Sequence, residues 1–110
     1  MTSGAYAADS DLKSSESYTI HLGDEYVVTL DENGGSTGYV WYLLTSTKGV
    51  QLLKEEYYPS DDIYLWGNSK RVFTFQATEC GLQSIRFELL RSWDPIHPSE
   101  IRTYSLNVIK

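Results

Sequence analysis

The stretch Arg71-Val72-Phe73-Thr74-Phe75-Gln76-Ala77-Thr78-Glu79-Cys80-Gly81-Leu82-Gln83-Ser84-Ile85-Arg86-Phe87-Glu88-Leu89-Leu90 alternates apolar and polar side chains on both sides of a turn. Phe73, Phe75 and Ala77 share one parity, and Val72, Thr74 and Gln76 share the other. Beyond Glu79-Cys80-Gly81, Ile85, Phe87 and Leu89 are predicted to point inward and Ser84, Arg86 and Glu88 outward. A period of two places successive side chains on opposite faces of extended backbone. The stretch therefore reads as two half-buried strands joined by a turn.

The same period continues outward in both directions. Toward the N-terminus, Ile20 and Leu22 alternate with Thr19 and His21, and Tyr26, Val28 and Leu30 follow the Gly23-Asp24 turn. Tyr39 to Thr45 is a third strand, apolar or aromatic at its start. Gln51 to Tyr58 is a weaker fourth, within which Leu52 to Glu56 also fits one helical turn. Toward the C-terminus, Arg102 to Ile109 closes the set with Tyr104, Leu106 and Val108 on one face. About seven short strands punctuated by turns predict an all-β, immunoglobulin-like sandwich, with a closed barrel as the alternative. Trp41 falls on the third strand, where such sandwiches bury a tryptophan. No helix is predicted.

The chain of 110 residues has the length of one domain, expected over 18–110. Residues 1–17 are small and polar and read as a disordered or processed tail. Within it, Ala5-Tyr6-Ala7-Ala8-Asp9-Ser10 resembles a cleavage site without its hydrophobic region, which predicts a secreted or periplasmic protein, with the cytoplasm as the alternative. A net charge of −6 argues against nucleic acid and against an anionic membrane surface. No run reaches the roughly 20 apolar residues of a spanning helix. A monomer is expected.

Catalytic and metal chemistry find little support. Cys80 is the single cysteine, so an internal disulfide is ruled out, and nothing in the sequence brings it to His21 or His97 as a nucleophile needs. Two histidines match no metal-site spacing, and Asp61-Asp62 reads as a solvated turn before it reads as a calcium site. Gly34, Gly35 and Gly38 lack the helix and lysine of a phosphate loop. The expectation is a protein that is not an enzyme and needs no cofactor.

Three connections stand out. The second-to-third runs from Asp31 to Gly38 with three glycines, the fourth-to-fifth from Pro59 to Lys70, and the sixth-to-seventh from Arg91 to Ile101. In a sandwich of this order they emerge at one end. Exposed aromatics on clustered loops point to a binding partner.

At these loops the chain resembles the chagasin-type inhibitors of papain-family cysteine proteases. That family's first loop reads Asn-Pro-Thr-Thr-Gly-aromatic with a Trp shortly after. Gly34-Gly35-Ser36-Thr37-Gly38-Tyr39 and Trp41 match it here. The glycine-containing middle loop falls on Tyr64-Leu65-Trp66-Gly67-Asn68-Ser69, and the Arg-Pro-Trp of the last loop on Arg91-Ser92-Trp93. The resemblance implies an immunoglobulin-like inhibitor whose three loops occlude the cleft of a cathepsin L-like protease. Gly34-Gly35 replaces the family's Asn-Pro and Ser92 its Pro, each change costing roughly 0.5–1 kcal/mol of pre-organisation. The competing reading is an adhesion or carbohydrate-binding sandwich that stacks Trp66 and Trp93 on sugar rings.

Overall fold

Phe73, Phe75 and Phe87 are fully buried at the centre of a sandwich, as their parity predicts. A computed structural model describes residues 13–60 and 69–110. Its elements are β1 (Lys13–His21), β2 (Glu25–Glu32), the single helical turn α1 (Gly34–Thr37), β3 (Tyr39–Ser46), β4 (Val50–Tyr58), β5 (Ser69–Ala77), β6 (Gly81–Arg91) and β7 (Glu100–Ile109). One sheet has the order β1-β7-β6-β3 and the other β2-β5-β4. This is the immunoglobulin-like partition, with the first strand running parallel to the last.

The turn between β5 and β6 passes from one sheet to the other, so the two strands face each other across the core. The rings of Phe73 and Phe87 lie 4.7 Å apart, and Phe87 meets Tyr104 edge-on at 5.8 Å. Edge and tilted contacts of this kind add to the energy of apolar burial. Leu30, Ile85, Leu106, Val108 and Trp41 complete the centre.

Two features depart from the sequence expectation. β1 begins at Lys13, inside the stretch expected to be tail. Its Lys13-Ser14-Ser15-Glu16-Ser17 start carries no apolar alternation because backbone pairing to Ile101 through Ser105 of β7 holds it. Residues 1–12 lie outside the described residues. As expected of the fourth strand, Leu52 to Glu56 lies in β4, paired to β5 with a bulge between Leu52 and Lys54. The second departure is α1, a helical turn inside a connection for which no helix is predicted. It closes because both the amide and the hydroxyl of Thr37 donate to the Asn33 carbonyl, at 3.0 and 2.9 Å.

Candidate functional site

The end of the sandwich that carries Glu32, Tyr39, Tyr58, Ser69 and Arg91 gathers the three connections noted in the sequence. Pairing places Tyr39 opposite Arg91, Glu32 opposite Ser69 and Tyr58 opposite Lys70. Both stems of each of the first two connections, and the start of the third, therefore converge on one pole.

The first and third connections touch. Gly38 has φ +81°, and a Cβ built there would lie 2.3 Å from Cη2 of Trp93. The indole thus rests directly on backbone that only glycine leaves open. Trp93 is nonetheless 70% exposed, so this contact covers a fraction of the ring and the rest faces solvent. Arg91 joins the two segments: its Nε donates to the Thr37 carbonyl at 3.0 Å. Its guanidinium lies 4.2 Å from the centre of the Tyr39 ring and 5.7 Å from that of Trp93. Cation–π placement on two rings fixes a side chain that solvent would otherwise leave mobile.

Beyond Trp93 the third connection continues as a tight, apolar-tipped loop. The Asp94 amide donates to the Arg91 carbonyl at 3.0 Å, and His97 Nδ1 sits 2.8 Å from the Asp94 carboxylate. Ile96 is exposed between Pro95 and Pro98. The Ser99 amide donates to the Leu89 carbonyl at 2.8 Å, which returns the chain to the sheet.

Beneath the first connection lies a cluster of charge that the sequence reading missed. Glu32 is buried, in phase with Val28 and Leu30. It accepts from Arg71 Nε at 2.7 Å, from Arg71 Nη2 at 2.8 Å and from the Trp41 amide at 2.8 Å. Arg71 Nη1 donates to Glu55 at 2.8 Å. The hydrogen bond to Glu32 is the main cause that raises the Arg71 pKa above its ordinary value. The indole Nε1 of Trp41 donates to the Asp31 carbonyl at 2.8 Å. A carboxylate at a core-phase position was the available signal, since burial of such a group demands a partner.

Of the remaining residues singled out in the sequence, Gly34, Gly35 and Ser36 belong to α1, and a Cβ at Gly35 would meet nothing within 4 Å. Ser69 opens β5 and its hydroxyl accepts from the Ser60 amide at 3.0 Å. Ser92 is exposed beside Trp93. Tyr64, Leu65, Trp66, Gly67 and Asn68, with Asp61 and Asp62, lie outside the described residues.

The groove lined by Ser17, Tyr18, Thr19, Leu82, Ser105 and Asn107 lies on the flank where β1 meets β7. Cys80 sits at the opposite end, in the turn before β6, whereas His97 is at the loop pole. That separation removes the Cys80–His97 pairing as a nucleophile and base. Among the described residues, no three His, Cys, Asp or Glu side chains are grouped as metal ligands, and no helix is long and apolar enough to cross a membrane.

The family described as chagasin family peptidase inhibitor I42 matches residues 19–108. The chain belongs to this chagasin family of peptidase inhibitors. No curated protein matches it in sequence. Among solved structures, the cysteine protease inhibitor EhICP2 from Entamoeba histolytica is 20% identical with a TM-score of 0.70, covering 87% of this chain and 95% of that one. Amebosin is 24% identical with a TM-score of 0.65 over the same shares of the two chains. PbICP-C, solved in complex with falcipain-2, is 19% identical with a TM-score of 0.55, covering 91% and 92%. At these identities the three likenesses concern the fold. The chagasin match spans β2 through most of β7, and so includes both connections that meet at Gly38 and Trp93. It is a family of inhibitors and not of enzymes.

Proposed function

We propose that this chain is a reversible, tight-binding inhibitor of papain-like cysteine proteases and that its loop pole plugs the active-site cleft. One observation carries the reading of the site. The first and third connections form one continuous surface, with an exposed Trp93 seated on Gly38 and tied through Arg91 to Thr37. The structural relatives EhICP2 and PbICP-C carry a cysteine protease inhibitor's name and a complex with falcipain-2 respectively, which supports the target class.

In this reading Ser36-Thr37-Gly38 enters the centre of the cleft, where small residues permit close backbone approach. Strands β2 and β3 hold both ends of that segment, so its peptide bonds stay out of attack geometry and the inhibitor is not cleaved. Trp93 packs on one wall and the segment from Tyr64 to Ser69 on the other. Trp and Arg are the side chains that most often dominate interface energy. A surface pre-ordered before contact loses less entropy on binding, which favours tight association. The Ala5-Tyr6-Ala7 stretch supports export from the cell, where such a target would be met.

The test is titration of papain or a cathepsin L-type protease with the full chain. Activity is expected to fall linearly to near zero at close to one equivalent, and to return on dilution. Undiminished activity at micromolar inhibitor would overturn the proposal.

A further inference from the structure

We propose that Arg71 is the positioning residue of this pole: through Glu32 and Glu55 it ties the first loop to strands β4 and β5, so that this loop meets the protease in one geometry. The inference rests on the inhibitor reading. Its structural basis is the reach of a single guanidinium. Arg71 is on β5, Glu32 ends β2, Glu55 is on β4, and the Trp41 amide that shares Glu32 is on β3 of the other sheet. The first loop leaves directly after Glu32 and re-enters its strand at Tyr39, two residues before Trp41. Both of its stems are therefore tied to one carboxylate. The middle loop leaves after Tyr58, and Arg71 pairs with Tyr57 while stacking 5.0 Å from that ring's centre.

Stability alone does not account for this cluster. The Glu32 side chain is 2% exposed and that of Arg71 18%. Replacing a buried ion pair by well-packed apolar groups is often neutral or stabilising. What such a pair supplies, and apolar groups do not, is direction. A two-pronged guanidinium–carboxylate contact holds both partners in one plane and one register. Lysine offers a point charge and lacks that fork.

The experiment compares Arg71→Lys with Val50→Ala, a core truncation at the far pole whose melting temperature serves as the matched control. Inhibition of papain is measured at a temperature where every variant is folded, together with hydrogen exchange of the Trp41 and Thr37 amides. Arg71→Lys is expected to weaken inhibition at least tenfold and to speed both exchanges at least tenfold beyond any increase in Val50→Ala, which leaves inhibition unchanged. Unchanged exchange and inhibition in Arg71→Lys would overturn the proposal. Glu32→Gln keeps the shape and removes the charge. It carries the same expectations and decides the matter if the Arg71 variant does not fold. Exchange that speeds up as expected, with a wild-type chain that does not inhibit, would support the positioning role and remove the inhibitor reading.

Discussion

The indole of Trp93 lies on the α-carbon of Gly38, leaving no room for a side chain between them. The contact joins two segments far apart in sequence and makes glycine at this position necessary twice over. The φ of +81° costs a residue with a Cβ about 1–2 kcal/mol, and the Cβ itself would collide with the ring. Gly38→Ala is therefore expected to lower the melting temperature by several degrees and to weaken inhibition at least tenfold. Thermal melts and papain titration check both. An unaffected inhibition constant would show that the ring placement is irrelevant to binding.

Trp93→Ala separates contact from support. The ring is mostly exposed, so its loss should change stability by no more than about 0.5 kcal/mol. On the proposed inhibitor reading it is a central interface residue, and its loss should cost at least about 2 kcal/mol of binding. The expected result is a near-normal melt with inhibition weakened roughly thirtyfold. Normal inhibition would move the third loop out of the interface.

Gly35→Ala is expected to drive stability and inhibition in opposite directions. A Cβ there meets nothing within 4 Å, and the residue sits in a helical turn. Alanine should raise stability by about 0.4–1 kcal/mol by restricting the unfolded chain. If the turn approaches the catalytic cysteine closely, the added methyl must still weaken inhibition. A variant both more stable and equally inhibitory would place the turn away from the cleft floor.

Much of the pole is written in local chemistry. The parity of Phe73, Phe75, Ile85 and Phe87 fixes which faces are buried, and Trp41 fills the core as its strand predicts. Gly38 and Trp93 are legible as residue types, since a close approach needs the one and an exposed aromatic marks the other. Their contact is tertiary and has no local signal. β1 was placed too late because Lys13 to Ser17 is held by parallel backbone pairing, which is indifferent to side-chain alternation. α1 has no local signal because glycine disfavours helix and the turn's closure depends on Thr37 reaching Asn33. Glu32 keeps the core phase of Val28 and Leu30, but its cationic partner Arg71 lies 39 residues away on β5 and has no local signal.

Two tyrosines predict how the fold responds to alkali. Tyr26 and Tyr104 meet edge-on at 6.1 Å where the two sheets face each other near β1. Burial is the largest cause that raises the pKa of Tyr26 above its ordinary value, with Tyr18 and Tyr104 adding to it. Burial also raises Tyr104, against an opposing hydrogen bond from Arg102. A folded-state pKa above the unfolded value means the unfolded chain releases its proton first. The associated stability is fully present below the unfolded tyrosine pKa of about 10 and is lost as pH rises beyond it. The melting temperature should therefore fall steeply above about pH 10. Phenolate absorbance from these two rings should appear together with unfolding and not before it. Tyr26→Phe keeps the packed ring and removes the ionisable group, so its melting temperature should fall less over the same range. A variant and wild type that decline in parallel would assign the alkaline sensitivity to groups elsewhere in the chain.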